Sequence, residues 1–114
     1  MNLEKSLEIS LLNDFYGKLL TQKQQDILVE YYYNNMSLAE VAENFGITRQ
    51  AVLDSLKKSE KQLKNFELVL GLASKHKQMK EHIEDLANKI GKKNLTKEQV
   101  QAELKLLLDF WEES

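Results

Sequence analysis

The side chains best suited to chemistry by type and spacing lie in residues 48–64, TRQAVLDSLKKSEKQLK. Arg49 can bind guanine O6 and N7, and Gln50 can pair with adenine N6 and N7. Thr48 can bind phosphate through its hydroxyl and the adjoining helix N-terminus. The lysines that follow can contact further phosphates: Lys57, Lys58, Lys61 and Lys64. Such a set of side chains is suited to binding a nucleic acid through both bases and phosphates.

Two outward residues of the same helix fit this chemistry less well. Leu53 offers only a contact to a thymine methyl group, and Asp54 repels phosphate unless a cytosine amino group faces it. Two interpretations of the surface therefore stay open. In the first, it contacts DNA through Thr48, Arg49, Gln50, Asp54, Lys57, Lys58 and Lys61. In the second, the same helices form a scaffold whose surface contacts a protein.

Charge is unevenly distributed along the 114 residues, although the net charge is only −2. Residues 1–47 sum to −4, residues 48–80 to +5 and residues 81–114 to −3. The positive segment begins where the helix at Thr48 begins. A local basic segment in an acidic protein is a modest indication of a nucleic-acid partner, and an ordinary solvated helix face is the alternative.

Residues 37–52, SLAEVAENFGITRQAV, have the spacing of a helix-turn-helix motif. Ser37 with Glu40 has capping-box spacing, which predicts a short helix, and Thr48 predicts the start of the next one. The motif also needs small or apolar residues at fixed places, and they are Ala42 at the helix crossing, Gly46 in the turn and Val52 on the second helix.

The rest of the chain is helical in pattern and has no strand signal. Apolar residues at steps of three and four predict a helix over residues 3–20. Thr21 with Gln24 and Thr96 with Gln99 have capping-box spacing and predict two more helix starts. We therefore predict six helices in one all-α domain over residues 1–114. Residues 21–64 form the helix-turn-helix core, and residues 65–114 form a helical segment for dimerisation or for contacts within the chain.

A heptad pattern runs through the second half of the chain, in Val69, Leu72, His76, Met79, Ile83, Leu86 and Ile90. This pattern predicts a long helix that Gly91 ends, with an apolar seam. Whether residues 48–90 form one helix or break near Asn65 is left open by the pattern. The seam can pack within its own chain or against a second copy. We expect a homodimer with an interface at Val69, Leu72, His76, Met79, Ile83 and Leu86, in which His76 helps to set the register or senses pH.

Other classes of function find little support in the residues. The chain has no cysteine, and His76 and His82 lack metal-ligand spacing, so we expect no metal and no cofactor. No phosphate-binding glycine loop and no nucleophile with its base occurs, so we do not expect an enzyme. No apolar run approaches the length of a membrane span and no signal peptide opens the chain, so we expect a cytoplasmic protein without membrane insertion.

Residues 20–63, LTQKQQDILVEYYYNNMSLAEVAENFGITRQAVLDSLKKSEKQL, resemble region four of bacterial sigma factors, which reads the −35 promoter element. The resemblance places base reading on Thr48, Arg49, Gln50 and Asp54. It departs at Ala51 and Leu53, where related sigma regions often carry basic residues. The resemblance adds a sigma region-four-like helix-turn-helix to the fold, between an N-terminal helix and the heptad-patterned and C-terminal helices.

The whole chain, from NDFYGKLLT at residues 13–21 to FELVLGL at residues 66–72, resembles the YlxM family of helix-turn-helix proteins. Genes of that family tend to lie beside those for signal recognition particle components. The resemblance implies a regulatory DNA-binding protein connected with the signal recognition particle pathway. The alternative, second to this one, is an adaptor without enzymatic activity that binds the protein or the RNA of that particle instead of promoter DNA.

Overall fold

The computed structural model describes residues 3–113, and within that range the secondary structure is helical, with six α-helices and no strand. The α-helices are α1 Leu3–Tyr16, α2 Gln22–Leu28, α3 Leu38–Phe45, α4 Arg49–Leu70, α5 Leu72–Lys92 and α6 Lys97–Glu113. A 3-10 turn at Gly17–Leu19 follows α1, and a π-helical stretch at Val29–Tyr33 follows α2. The all-α prediction is confirmed.

The chain divides into two compact units, which we call unit 1 (Met1–Gly71) and unit 2 (Leu72–Ser114). The sequence placed the end of the helix-turn-helix core at residue 64, whereas unit 1 continues to the end of α4. The single domain over residues 1–114 stays a prediction.

In unit 1, α1 buries one face and supports α4. Ile9, Leu12 and Tyr16 are buried at steps of three and four residues. The predicted helix over residues 3–20 is too long, since α1 ends at Tyr16 and the tighter 3-10 turn that follows leaves Leu19 59% exposed. The hydroxyl of Tyr16 donates a hydrogen bond to Glu67 Oε1 of α4 at 2.6 Å. The last turns of α4 are therefore tied to α1.

Side chains at the start of α2 form hydrogen bonds with the free backbone N–H groups of its first turn, and one of them also contacts α4. Thr21 and Gln24 form the predicted capping box, with Gln24 N–H on Thr21 Oγ1 at 3.2 Å and Thr21 N–H on Gln24 Oε1 at 3.0 Å. Gln24 is buried, and its Nε2 donates to Ser59 Oγ at 3.1 Å and to Gln62 Oε1 at 2.7 Å. Because a buried amide without partners is costly, this network fixes the position of α2 along α4.

The heptad pattern spans two helices, and the break between them lies at Gly71. Gly71 has a left-handed backbone with φ +62°, and its N–H donates to Glu67 O at 2.8 Å, which ends α4. The predicted end at Gly91 is wrong, because α5 continues through Gly91 to Lys92 and Gly91 has no positive φ. A period of apolar residues carries no information on φ, so it could not distinguish the two glycines.

Unit 2 consists of α5 and α6, which contact each other. Thr96 and Gln99 form the predicted capping box, with bonds of 3.1 and 2.8 Å. Among the described residues of unit 2, the buried apolar ones are Ala73 and Leu86. Aromatic contacts add to this small core, with Lys75 Nζ 4.1 Å from the centroid of a Trp111 ring and His82 edge-on to Phe110. None of the helices described in either unit has the length and apolarity that crossing a membrane requires.

Candidate nucleic-acid interface

The turn between α3 and α4 has the geometry that the motif needs. Ser37 begins α3 with a capping box to Glu40, through two bonds of 3.1 Å. Gly46 ends α3 in the left-handed region, with φ +64°. The N–H of Ile47 donates to Ala42 O at 3.0 Å, which completes a helix C-cap in which residues five apart are bonded. The predicted place of Gly46 in the turn is confirmed.

A small apolar core holds α3 against α4. Its buried members are Ile27, Val41, Ala42, Val52 and Leu56. Partly buried side chains surround it, among them Tyr31, Tyr32, Met36, Leu38, Phe45 and Ile47. The predicted places of Ala42 and Val52 in this core are confirmed. Because the core lies on one side of α4, the opposite side is left for solvent or a ligand.

Thr48 sets the register of α4 by capping it. Its side chain accepts the N–H of Ala51 at 3.0 Å, so Arg49 and Gln50 occupy the first turn. Both side chains are exposed, at the end of α4 that follows the turn. Leu53 is half-buried, in contrast, and therefore offers little apolar surface to a partner.

Gln50 and Asp54 form a hydrogen-bonded pair on the outer side of the first two turns of α4. Gln50 Nε2 donates to Asp54 Oδ1 at 2.8 Å, and both residues are exposed. Positions four residues apart on a helix are neighbours, which is why the two side chains meet. The pair therefore offers groups to a ligand as one unit instead of as two independent side chains.

Beyond this pair the outer side of α4 is basic, and we call the lysines there the lysine face: Lys57, Lys58, Lys61 and Lys64. Each of these side chains is exposed, and none forms an ion pair with another residue between positions 3 and 113. The one acid within this run, Glu60, is buried; it accepts a hydrogen bond from Tyr32 and pairs with Lys5 Nζ at 3.5 Å. The charge of the lysine face thus remains available to a phosphate.

The residues predicted for a dimer interface lie on two different helices. Val69 is on α4 of unit 1, and the others are on α5 of unit 2. Along α5, Leu72, His76 and Ile83 are exposed, Met79 is half-buried and Leu86 is buried. The structure therefore interrupts the continuous seam expected from the sequence, and the α5 part keeps an exposed face.

Residues elsewhere in the chain have structural roles or do not form a cluster that could bind a ligand. Tyr31 and Tyr32 pack against the helix-turn-helix core, and Tyr33 is 44% exposed. Over residues 3–113, no three side chains of the types that bind metals come together as a possible ion site. The lysine face and the first turn of α4 are thus the surface on which side chains suited to binding a nucleic acid lie together.

The sequence contained a signal for one feature of this site but not for another. The Gln50–Asp54 pair follows from spacing and could have been predicted from positions four apart. The charge of Glu60 is balanced by an ion pair with Lys5, which is far away in sequence, and Tyr32 donates a hydrogen bond to the same carboxylate. No local pattern indicates such a contact, since it exists only when α1 and the π-helical stretch lie against α4.

Comparison with known proteins gives the family. The model of the family described as "Putative helix-turn-helix protein, YlxM / p13 like" matches residues 3–107. A UPF0122 protein of Listeria innocua serovar 6a is 39% identical over 104 residues, which are 91% of this chain and 94% of that protein. A UPF0122 protein of Desulforamulus reducens is 47% identical over 81 residues, 71% of this chain and 69% of that protein. One from Streptococcus gordonii is 39% identical over 100 residues, 88% of this chain and 91% of that protein. The chain therefore belongs to this family of helix-turn-helix proteins.

Proposed function

We propose that the chain is a cytoplasmic regulatory protein that binds double-stranded DNA through α4. The observation that carries the proposal is the unpaired lysine face, which continues from the first turn of an intact helix-turn-helix. Arg49 and Gln50 contact base edges, and the hydroxyl of Thr48 contacts phosphate beside the helix N-terminus. The lysines hold the adjacent phosphates and so fix the register of α4 on the duplex.

The length of α4 limits which residues can enter the groove. Its 22 residues span about 33 Å, whereas the major groove is about 12 Å wide. Only about the first two turns fit, which include Arg49, Gln50 and Asp54 on the groove side. Lys57 and Lys58 then lie at the rim, where the phosphates are, and Lys61 and Lys64 extend the positive charge beyond it.

The alternative is an adaptor that contacts signal recognition particle protein or RNA. A protein partner favours a contiguous apolar patch, and the place to expect one is around Leu53. Leu53 is half-buried, and the exposed residues beside it on α4 are polar, Gln50, Asp54 and Lys57. This composition supports a nucleic-acid partner over a protein partner for the α4 surface.

We also propose a homodimer through α5. Unit 2 leaves large apolar side chains more than two-fifths exposed, namely Leu72, Ile83, Ile90, Leu104, Leu106, Leu108 and Trp111. Covering these apolar side chains removes them from water, which is favourable. Leu72, His76, Met79 and Ile83 retain the heptad spacing, and we place the contact there. Helix-turn-helix proteins that bind as two-fold dimers commonly contact half-sites about 34 Å apart. Sedimentation should give about twice the 13.3 kDa of one chain, and a single-chain species at micromolar concentration would contradict the dimer.

The test of DNA binding is fluorescence anisotropy of a labelled random-sequence duplex, with a structured RNA hairpin measured in parallel, from about 50 to 200 mM salt. We expect duplex binding that weakens steeply with salt and is lost in Lys57→Ala/Lys58→Ala. The matched control is Lys92→Ala/Lys93→Ala, which removes the same charge from exposed positions of unit 2. Equal losses in both double variants would show only nonspecific attraction, and no binding to either ligand at low salt would refute the proposal.

Base reading is tested separately once a bound sequence has been selected. Arg49→Ala should cost about 1–3 kcal/mol on that sequence and relax the preference for it, because a bidentate base contact is lost. Lys58→Ala should weaken binding to all sequences alike, since the phosphates are the same in every sequence. If both variants lost the same affinity on every sequence, Arg49 would have no role in base reading.

A further inference from the structure

We infer that Asp54, oriented by Gln50, is a specificity-determining residue that selects cytosine over guanine at one position of the DNA site. This inference rests on the proposed function, because it needs the first turns of α4 in the major groove. Asp54 places a carboxylate on the outer side of the helix that would enter the groove, where a negative charge is unfavourable for general DNA binding.

The hydrogen bond between the two side chains fixes which groups they present. An exposed aspartate at neutral pH accepts hydrogen bonds but cannot donate one, so the amide nitrogen of Gln50 must face it. The 2.8 Å bond from Gln50 Nε2 to Asp54 Oδ1 has this orientation. Two acceptors, Gln50 Oε1 and Asp54 Oδ2, and one remaining N–H of Gln50 are therefore left for the DNA. The pair is a surface that mainly accepts hydrogen bonds.

The floor of the major groove offers few donors to such a surface. Guanine presents the acceptors N7 and O6 and thymine presents O4, so a carboxylate is repelled by both. Cytosine N4 and adenine N6 are the donors, but adenine places its N7 acceptor beside N6. Cytosine therefore satisfies Asp54 best, and guanine at the same place leaves a desolvated carboxylate facing two acceptors. The expected result is about a tenfold preference for cytosine over guanine, as is typical of one good base contact.

The same carboxylate lowers affinity for DNA in general. Asp54 is one turn before Lys57 and Lys58, and it brings a negative charge towards the phosphates that these lysines approach. Removal of the charge should therefore strengthen binding to a random pool while it removes the cytosine preference. A residue that only filled space on α4 would change neither quantity in this linked way.

The experiment is selection of bound duplexes from a random library, followed by titration of single sites that differ at one position. We compare the wild-type chain with Asp54→Ala, Asp54→Asn and Gln50→Ala. Lys58→Ala is the control on the same helix, because it should lower affinity without changing any base preference. Far-UV circular dichroism checks the fold of each variant, and the exposed position of Asp54 predicts no loss of helix.

Each variant has a distinct expected result. Asp54→Ala should reduce the cytosine-to-guanine ratio from about tenfold to less than about twofold and raise affinity for the random pool about two- to fivefold. Asp54→Asn has the same size without the charge, and its amide can pair with adenine, so the preferred base should change. Gln50→Ala should reduce the ratio without raising pool affinity, because the carboxylate remains but loses the partner that orients it.

Failure of this inference can be distinguished from failure of DNA binding. If the wild-type chain selects a site and Asp54→Ala selects the same bases at every position, Asp54 does not determine specificity, although the chain binds DNA. If no duplex is retained, both the inference and the proposed function are overturned. If Gln50→Ala raises pool affinity as much as Asp54→Ala does, the orienting role of Gln50 is wrong.

Discussion

Gly46 allows a prediction with a magnitude taken directly from its geometry. Its φ is +64°, and a Cβ added at this position would meet no atom within 4 Å. Gly46→Ala therefore creates no steric clash with the rest of the chain, and its cost is that of a left-handed backbone alone, about 1–2 kcal/mol. Gly46→Asn should cost less, because asparagine adopts this conformation more readily than alanine. The two variants separate backbone strain from the effect of adding a side chain.

The assay can follow unit 1 separately from unit 2. The four tyrosines of the chain lie at positions 16 and 31–33, in unit 1, and its one tryptophan, Trp111, lies in unit 2. Thermal unfolding followed by tyrosine absorbance should show a Tm decrease of about 4–16 °C for Gly46→Ala, since each kcal/mol moves the Tm of a unit of this size by about 4–8 °C. Tryptophan fluorescence serves as the internal reference for unit 2. If Gly46→Ala were as stable as the wild type, or if Gly46→Asn lost as much as Gly46→Ala, the argument from backbone strain would be refuted.

Substitutions at three further positions test local structure through the free energy of unfolding in urea. Thr48→Ala should lose about 1 kcal/mol and Thr48→Ser little, because the hydroxyl caps the N–H of Ala51; equal losses would contradict the cap. Tyr16→Phe should lose about 1–2 kcal/mol, because it removes the 2.6 Å bond to Glu67; an unchanged value would show that this bond contributes nothing. Gly91→Ala should stabilise α5 by about 0.5 kcal/mol, followed by Trp111 fluorescence, since Gly91 is helical and a Cβ there meets nothing within 4 Å; a loss would contradict the helical assignment.

The helix starts could be predicted from the sequence because each one is a local structure. In a capping box, side chains bond to backbone groups three residues away, so the residue types and their spacing contain the necessary information. This is why Thr21, Ser37 and Thr96 were each predicted as the start of a helix that the structure has. The turn at Gly46 was predictable for the same reason, since the motif requires a left-handed residue at that step.

The helix ends in the second half of the chain were not predictable from the apolar pattern. Val69 and Leu72 keep a spacing of three across Gly71, so the pattern passes through the break without interruption. Gly91 follows Ile90 at the end of the pattern, which is why the pattern predicts a helix end there. What distinguishes the two glycines is φ, which is +62° at Gly71 and not positive at Gly91. Neither residue type nor spacing determines that angle.

The exposed surface of α4 was predictable in part, because Thr48 fixes the register and the buried residues repeat at steps of three and four. What the sequence could not predict is which charges on that surface are balanced by ion pairs within the chain. Glu60 interrupts the run of lysines, and from sequence alone its negative charge offsets one of their four positive charges. Its burial beside Tyr32 and its ion pair with Lys5 depend on the tertiary contact of three elements.

These contacts give the two halves of α4 different roles. The second half is fixed by α1 and α2, through Tyr16 on Glu67 and through Gln24 on Ser59 and Gln62. The first half, from Arg49 to Lys57, is held by the apolar core on one side only and leaves its other side exposed. Because one continuous helix joins the halves, the orientation of the proposed reading surface is set by contacts outside it. Unit 1 should therefore dock on DNA with little change in its backbone, and base preference should depend on the exposed side chains of the first two turns.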